Sequence, residues 1–179
     1  MNARKPTAAP SNDITELDAI ALSRAIRGRQ LSCVETLDAF LAQIERLNPR
    51  VNALVALQAR DELRREARQR DAQLARGEWL GPLHGFPQAP KDILPAAGMV
   101  TTKGSPIFQD QVSITDAVIF ERMRRGGAIF IGRSNSPEFG LGGHTYNSVY
   151  GTTGNAFSPD KSAGGSSGGA AVAVALRML

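Results

Sequence analysis

Cysteine and histidine are scarce in this chain: 179 residues hold one cysteine, Cys33, and two histidines, His84 and His144. One thiol excludes an intrachain disulfide and any multi-cysteine zinc site, and fits a reducing, cytoplasmic setting. The histidines stand 60 positions apart with no second histidine at helical or strand spacing, so no metal ligation is expected. No run of 18 apolar residues occurs, and no apolar stretch follows Arg4 and Lys5, so neither a membrane span nor a leader is expected. Excess charge of one sign is missing too. Residues 1–80 carry 13 basic and 11 acidic side chains and residues 81–179 carry 8 and 6, too even and too dilute for a nucleic-acid surface. The hydrophobic fraction of 42% is that of an ordinary globular domain, and the length sets one domain as the ceiling.

Glycine is nearly absent from the front of the chain. Residues 1–80 contain Gly28 and Gly77 alone, whereas residues 81–179 contain the other 16, so a helical front and a back of loops and strands are predicted. A helix is predicted from Glu16 to Arg27, burying Leu17, Ile20, Ala21 and Ala25, with Gly28 as the left-handed residue past its end. Ser32-Cys33-Val34-Glu35 forms a capping box ahead of Leu37, Phe40, Leu41, Ile44 and Leu47, and Asn48-Pro49 is the predicted stop. Val51 to Leu57 is a short strand candidate. Arg60 to Asp71 mixes five arginines with four acids at helical spacing and reads as a solvated helix face closed by Gly77. Asp116 to Arg125, with Val118, Ile119 and Met123, reads as a further helix, and Ala128 to Gly132 as a buried strand. Strand and helix in alternation indicate an α/β sheet.

Two segments carry chemistry. Gly81-Pro82-Leu83-His84-Gly85-Phe86-Pro87-Gln88-Ala89-Pro90-Lys91-Asp92 puts a lysine among prolines and apolar residues, where an ammonium is costly unless paired or neutral. Lys91 is either a cation bridged by a neighbour such as Asp92 or a base. The second role demands a large depression from the ordinary lysine value of about 10.4. Ser162-Ala163-Gly164-Gly165-Ser166-Ser167-Gly168-Gly169-Ala170 exposes hydroxyls and amides at the start of an apolar run. A flexible linker does not suit that apolar run. Asp160 stands where a phosphate-binding loop requires glycine, and no dinucleotide fingerprint occurs, which leaves a serine site and no expected cofactor.

The order of these two segments, with Thr101-Thr102-Lys103-Gly104-Ser105 and Gly132-Arg133-Ser134-Asn135-Ser136-Pro137-Glu138-Phe139 between them, strongly resembles the amidase signature family from about Leu17 onward. The resemblance implies a mixed, twisted β-sheet flanked by helices, and hydrolysis of a small-molecule amide by a Ser-cisSer-Lys triad. Lys91 matches the family's lysine and Ser166 its middle serine, linked to Gly165 through a cis peptide. By the same analogy Gly143, Tyr146, Asn147 and Ser167 line the substrate, and Asn135 and Glu138 tie loops to the site. Ser167, Ser162, Ser158 and Cys33 are not expected to replace the nucleophile, although Cys33 at a helix start has a route to a lowered thiol pKa. Pro90 removes a strand amide and is expected to kink or unpair the strand there.

In relatives the nucleophilic serine lies about two dozen residues beyond the middle serine, in a second Gly-Gly-Ser element that also forms the oxyanion hole. After Ser166 only 13 residues follow. The expected organisation is therefore a disordered tail at 1–12 and a truncated amidase domain at 13–179, with helices over 13–80 and the lysine and cis-serine segments over 81–179. The chain alone is expected to be inactive and marginally stable. Ala170 to Leu179 is expected to be a half-covered helix, and the uncovered sheet to invite self-association. Two other readings of the resemblance are a glutaminase-like subunit of a tRNA-dependent amidotransferase and a non-catalytic protein that binds small amides.

Overall fold

The computed structural model describes residues 11–179. The front is helical: α1 (Ser11–Glu16), α2 (Ala19–Arg27), α3 (Cys33–Val51) and, after the short strand β1 (Leu54–Val55), α4 (Arg60–Ala75). The back follows as β2 (Pro87–Gln88), α5 (Val118–Arg125), β3 (Ile129–Phe130), β4 (Arg133–Ser134), β5 (Tyr146–Asn147), β6 (Gly151–Thr152) and α6 (Gly168–Ala175). The tail expected at 1–12 lies outside the described residues except for Ser11 and Asn12, which open α1.

The helix predicted from Glu16 is divided at Asp18, whose carboxylate accepts from the Ala21 amide at 2.7 Å and caps α2. Its predicted inner face was misplaced: Leu17 and Ile20 are 37% and 64% exposed, and Leu22 and Ile26 are buried instead. Gly28 is not left-handed, at φ −77°; Arg29 takes that conformation, at φ 56°. The capping box of α3 forms as expected, with the Glu35 amide donating to Ser32 Oγ at 3.0 Å and the Ser32 amide to Glu35 at 2.9 Å. Asn48-Pro49 does not end α3. Pro49 lies in its last turn, where it gives up the amide bond to the carbonyl four residues back without ending the helix, and left-handed Asn52 is the stop. Asn48 instead guides the chain into β1, its Oδ1 accepting from Ala53 and Leu54 at 2.9 Å each. The charges of α4 pair with α3 as well as along their own helix: Arg64 holds Asp38 at 2.7 Å, Arg60 holds Glu45 at 2.9 Å and Arg70 holds Glu66 at 3.1 Å.

The predicted strands are shorter than expected, and they pair two by two, with both parallel and antiparallel ladders. β2 runs parallel to β3, matching Pro87 with Ile129, and β1 runs antiparallel to β4, matching Leu54 with Ser134. A parallel bridge between Lys91 and Ser134 carries the line of β2 on to β4. Along that line Ile131 donates to the Gln88 carbonyl but Ser134 to the Pro90 carbonyl, so the partner strand gains one residue around Gly132 and Arg133. The bulge falls where Pro90 has no amide to offer, and the strand continues through Lys91.

Ile26, Leu37, Ile44, Leu54, Ile129, Ile131 and Met178 form the core between helices and sheet. In α5 the buried residue is Phe120, edge-on to Phe130, while Val118 and Ile119 face outward. α6 ends at Ala175 and is half covered, burying Val172 and Ala173 and leaving Val174 63% exposed. A groove of about 590 Å³ lies beside it, lined by Leu22, Phe86, Ala89, Ala170, Val174 and Leu179 among others.

Candidate active site

Lys91 leaves the sheet at the end of the β2 line, where the Asp92 amide donates to the Ser134 carbonyl at 3.1 Å and sets its direction. Its Nζ stands 2.8 Å from Ser166 Oγ and 3.1 Å from Ser167 Oγ. Both serines sit in the turn before α6, and the Gly165–Ser166 peptide is cis. The turn is fastened to the segment ahead of β5: Gly165 donates to the Gly143 carbonyl at 2.8 Å, Gly168 to Thr145 Oγ1 at 3.1 Å, and Thr145 to the Gly164 carbonyl at 3.1 Å. A β-carbon on Gly165 would meet the Gly142 carbonyl oxygen at 2.3 Å, so only glycine allows this approach. Partial burial draws the Lys91 ammonium below its ordinary range.

The choice left open between a bridged cation and a base turns on Asp92, and Asp92 faces away. Adjacent strand residues point to opposite sides. The buried Asp92 carboxylate accepts from the Thr102 amide at 3.0 Å and from the Thr102 hydroxyl, and faces Arg133 Nε at 3.4 Å. Arg133 is fully buried and donates through Nη2 to the carbonyls of Lys91 at 3.0 Å and Leu94 at 2.6 Å. Sequence reasoning quoted Arg133 within a motif without singling it out. The signal was an arginine set in an otherwise buried strand, where a guanidinium requires a partner.

The remaining candidates divide. Ser167 joins Ser166 at the lysine amine. Gly143 and Tyr146 line a separate cleft of about 250 Å³ with Glu138, His144 and Asn147, to which neither Lys91 nor the serines contribute, and Gly143 reaches the serine turn only through its carbonyl. Asn135 ties strand to loop, donating to Thr153 Oγ1 at 3.0 Å and accepting from Asn147 Nδ2 at 2.7 Å. Ser162 pairs with His144 at 2.9 Å and Ser158 with Asp160 at 2.7 Å. Cys33 is buried, and burial, together with Asp71, pushes its thiol up rather than down, the opposite of an activated nucleophile.

His84 is structural. It is buried and stacks on Trp79 at 5.1 Å; its Nδ1 accepts from the Leu80 amide at 3.3 Å, which leaves Nε2 to donate to the Arg70 carbonyl at 3.0 Å. Burial holds its pKa below the ordinary 6.5, against the pull of the Arg70 carbonyl. Between the folded and unfolded values the unfolded chain binds a proton that the folded chain does not. The stability of the neutral ring is thus present above about pH 6.5 and lost as pH falls below it. The urea midpoint is expected to drop between pH 7 and pH 5.5, and to drop less in His84→Gln; equal slopes would contradict this.

Among the described residues no three His, Cys, Asp or Glu side chains gather to hold a metal ion, and no helix is long and apolar enough to cross a membrane. A lysine amine faces two serine hydroxyls beside a cis glycyl-serine peptide, on a mixed α/β scaffold. The chain belongs to the Amidase family, whose model matches residues 35–179. It is 39% identical over 163 residues to one of the subunits of the glutamyl-tRNA(Gln) amidotransferase from Thermobifida fusca, covering 91% of this chain and 32% of that protein. To the indoleacetamide hydrolase of Bradyrhizobium diazoefficiens it is 38% identical over 166 residues, covering 93% of this chain and 32% of that one. The crystal structure of a bacterial aryl acylamidase of the amidase signature family superposes with a TM-score of 0.85 at 31% identity, over 91% of this chain and 34% of that one. The chain thus spans about a third of the length of the curated relatives it matches.

Proposed function

We propose that this segment supplies the base and the relay serine of an enzyme that hydrolyses carboxylic amides. The observation that carries the reading is the 2.8 Å approach of Lys91 Nζ to Ser166 Oγ, with no carboxylate among the described residues paired to the amine. A neutral Lys91 takes the proton of Ser166 while Ser166 takes that of the attacking serine. The ammonium so formed then gives its proton to the leaving nitrogen. The attacking serine and the oxyanion donors come, in this reading, from the part of the family's length that the chain does not span. Residues 1–179 assayed alone are therefore expected to turn over no amide. Ser167 completes the hydroxyl pair around the amine, and Gly143 and Tyr146 offer the neighbouring cleft to the substrate.

Four lysines make the central claim directly measurable in the chain itself. In ¹³C-lysine spectra the Lys91 signal is expected to titrate below the ordinary lysine value of about 10.4. Titration at that ordinary value would remove the base from the mechanism. The 39% identity to one component of an amidotransferase favours a second reading, in which the amide is that of glutamine and turnover depends on partner subunits. Glutaminase activity appearing only on addition of such subunits would select it.

A further inference from the structure

Lys91 has two charged neighbours along the strands, Asp92 beside it and Arg133 across the bulge, and the structure engages them with each other. Asp92 is bound by Arg133 and Thr102. Burial and the nearby Asp92 charge push the Tyr150 hydroxyl up, against the pull of Thr102 and Arg133. On its other sides Arg133 meets the Phe120 ring at 5.6 Å and the like charge of Arg124; Nε faces Asp92 as an ion pair at 3.4 Å, and neither Nε nor Nη1 has a hydrogen-bond partner. Nη2 fixes the Lys91 and Leu94 carbonyls at 3.0 and 2.6 Å, the two ends of the turn that follows the lysine. At the tip of the lysine stand the hydroxyls of Ser166 and Ser167.

Resting on the reading of Lys91 as a base, we infer that Arg133 is its positioning residue: by engaging the Asp92 carboxylate and anchoring the Lys91 carbonyl, it leaves the lysine amine with hydroxyls alone as polar partners. A buried carboxylate one residue away, once released, attracts the proton of the nearest amine. Arg133 therefore acts on the reaction through Lys91 without touching substrate. A lysine at 133 keeps the charge opposite Asp92 but loses the two-pronged hold on the carbonyls.

The test is the pH titration of the Lys91 signal in the 179-residue chain. Arg133→Gln is expected to make Lys91 hold its proton about tenfold more tightly. Arg133→Lys should stay near the parent, and Asp92→Asn/Arg133→Gln should return to it. Should Arg133→Gln lose a folded spectrum, Asp92→Asn alone decides, because an uncompensated Arg133 then repels the ammonium and loosens the proton several-fold. An unmoved Lys91 in folded Arg133→Gln, a double variant that keeps the tighter proton, or an unmoved Asp92→Asn overturns the inference. If Lys91 of the parent titrates at the ordinary lysine value of about 10.4, the proposed base itself fails; if it titrates low and the variants leave it unmoved, only the role of Arg133 falls.

Discussion

Replacing Lys91 with methionine is expected to lower kcat/KM for a small amide by about 10⁴-fold or more when the segment is assayed in one polypeptide with the family's downstream serine element. Methionine keeps the length and apolar stem of lysine and removes the amine that stands 2.8 Å from Ser166 Oγ. A serine hydroxyl without a base is too weak a nucleophile to attack an amide at an appreciable rate. Ser166→Ala should lose a comparable factor, and the double variant little more, because members of a relay fail together rather than additively. Lys161→Met, at an exposed loop position, is the control expected to keep full activity. A Lys91→Met enzyme retaining a tenth of the parent rate would show that the proton leaves by another path.

Gly169→Ala is expected to be the most damaging single methyl group in the fold. Its β-carbon would meet the Asn135 amide nitrogen at 2.3 Å, the Asn135 carbonyl oxygen at 2.5 Å and the Ala53 carbonyl oxygen at 2.7 Å. All three are backbone atoms, so no rotamer change relieves the clash. Here α6 presses its first turn against β4 and the approach to β1, and the Gly169 amide donates to the Asn135 carbonyl at 3.2 Å. Overpacking a core typically costs about 1–3 kcal/mol and more against rigid neighbours, so a loss of about 3 kcal/mol or more is expected from the denaturant midpoint. Moving α6 also moves Ser166 and Ser167 relative to Lys91, so the depressed lysine titration should relax toward normal in whatever fraction stays folded. Gly164→Ala, with nothing within 4 Å of its β-carbon, should change stability by no more than about 0.5 kcal/mol. Equal midpoints for the two variants would mean that the helix end yields more easily than its contacts indicate.

Local rules and motif order were enough for part of this protein. The Ser32–Glu35 capping box, the charged α4 closed by Gly77 and the Lys91–Ser166 pairing were all legible, because a cap is satisfied within four residues and a family's motif order carries its geometry with it. Wherever a side chain had to choose between faces, the sequence was insufficient. Ile20 of α2 and Val118 and Ile119 of α5 are apolar yet face outward, because the placement of these helices against the rest of the fold, not their own periodicity, decides which face is covered. The partner of Asp92 was undecidable in the same way. Beside Lys91 in sequence, it belongs to Arg133, 41 positions on, and only the pairing of two strands brings a guanidinium to one side of the chain and two hydroxyls to the other. The residues proposed for the chemistry were thus written in the sequence, while which charged groups stand beside them was decided by strand pairing, which turns Asp92 and Arg133 away from the serines.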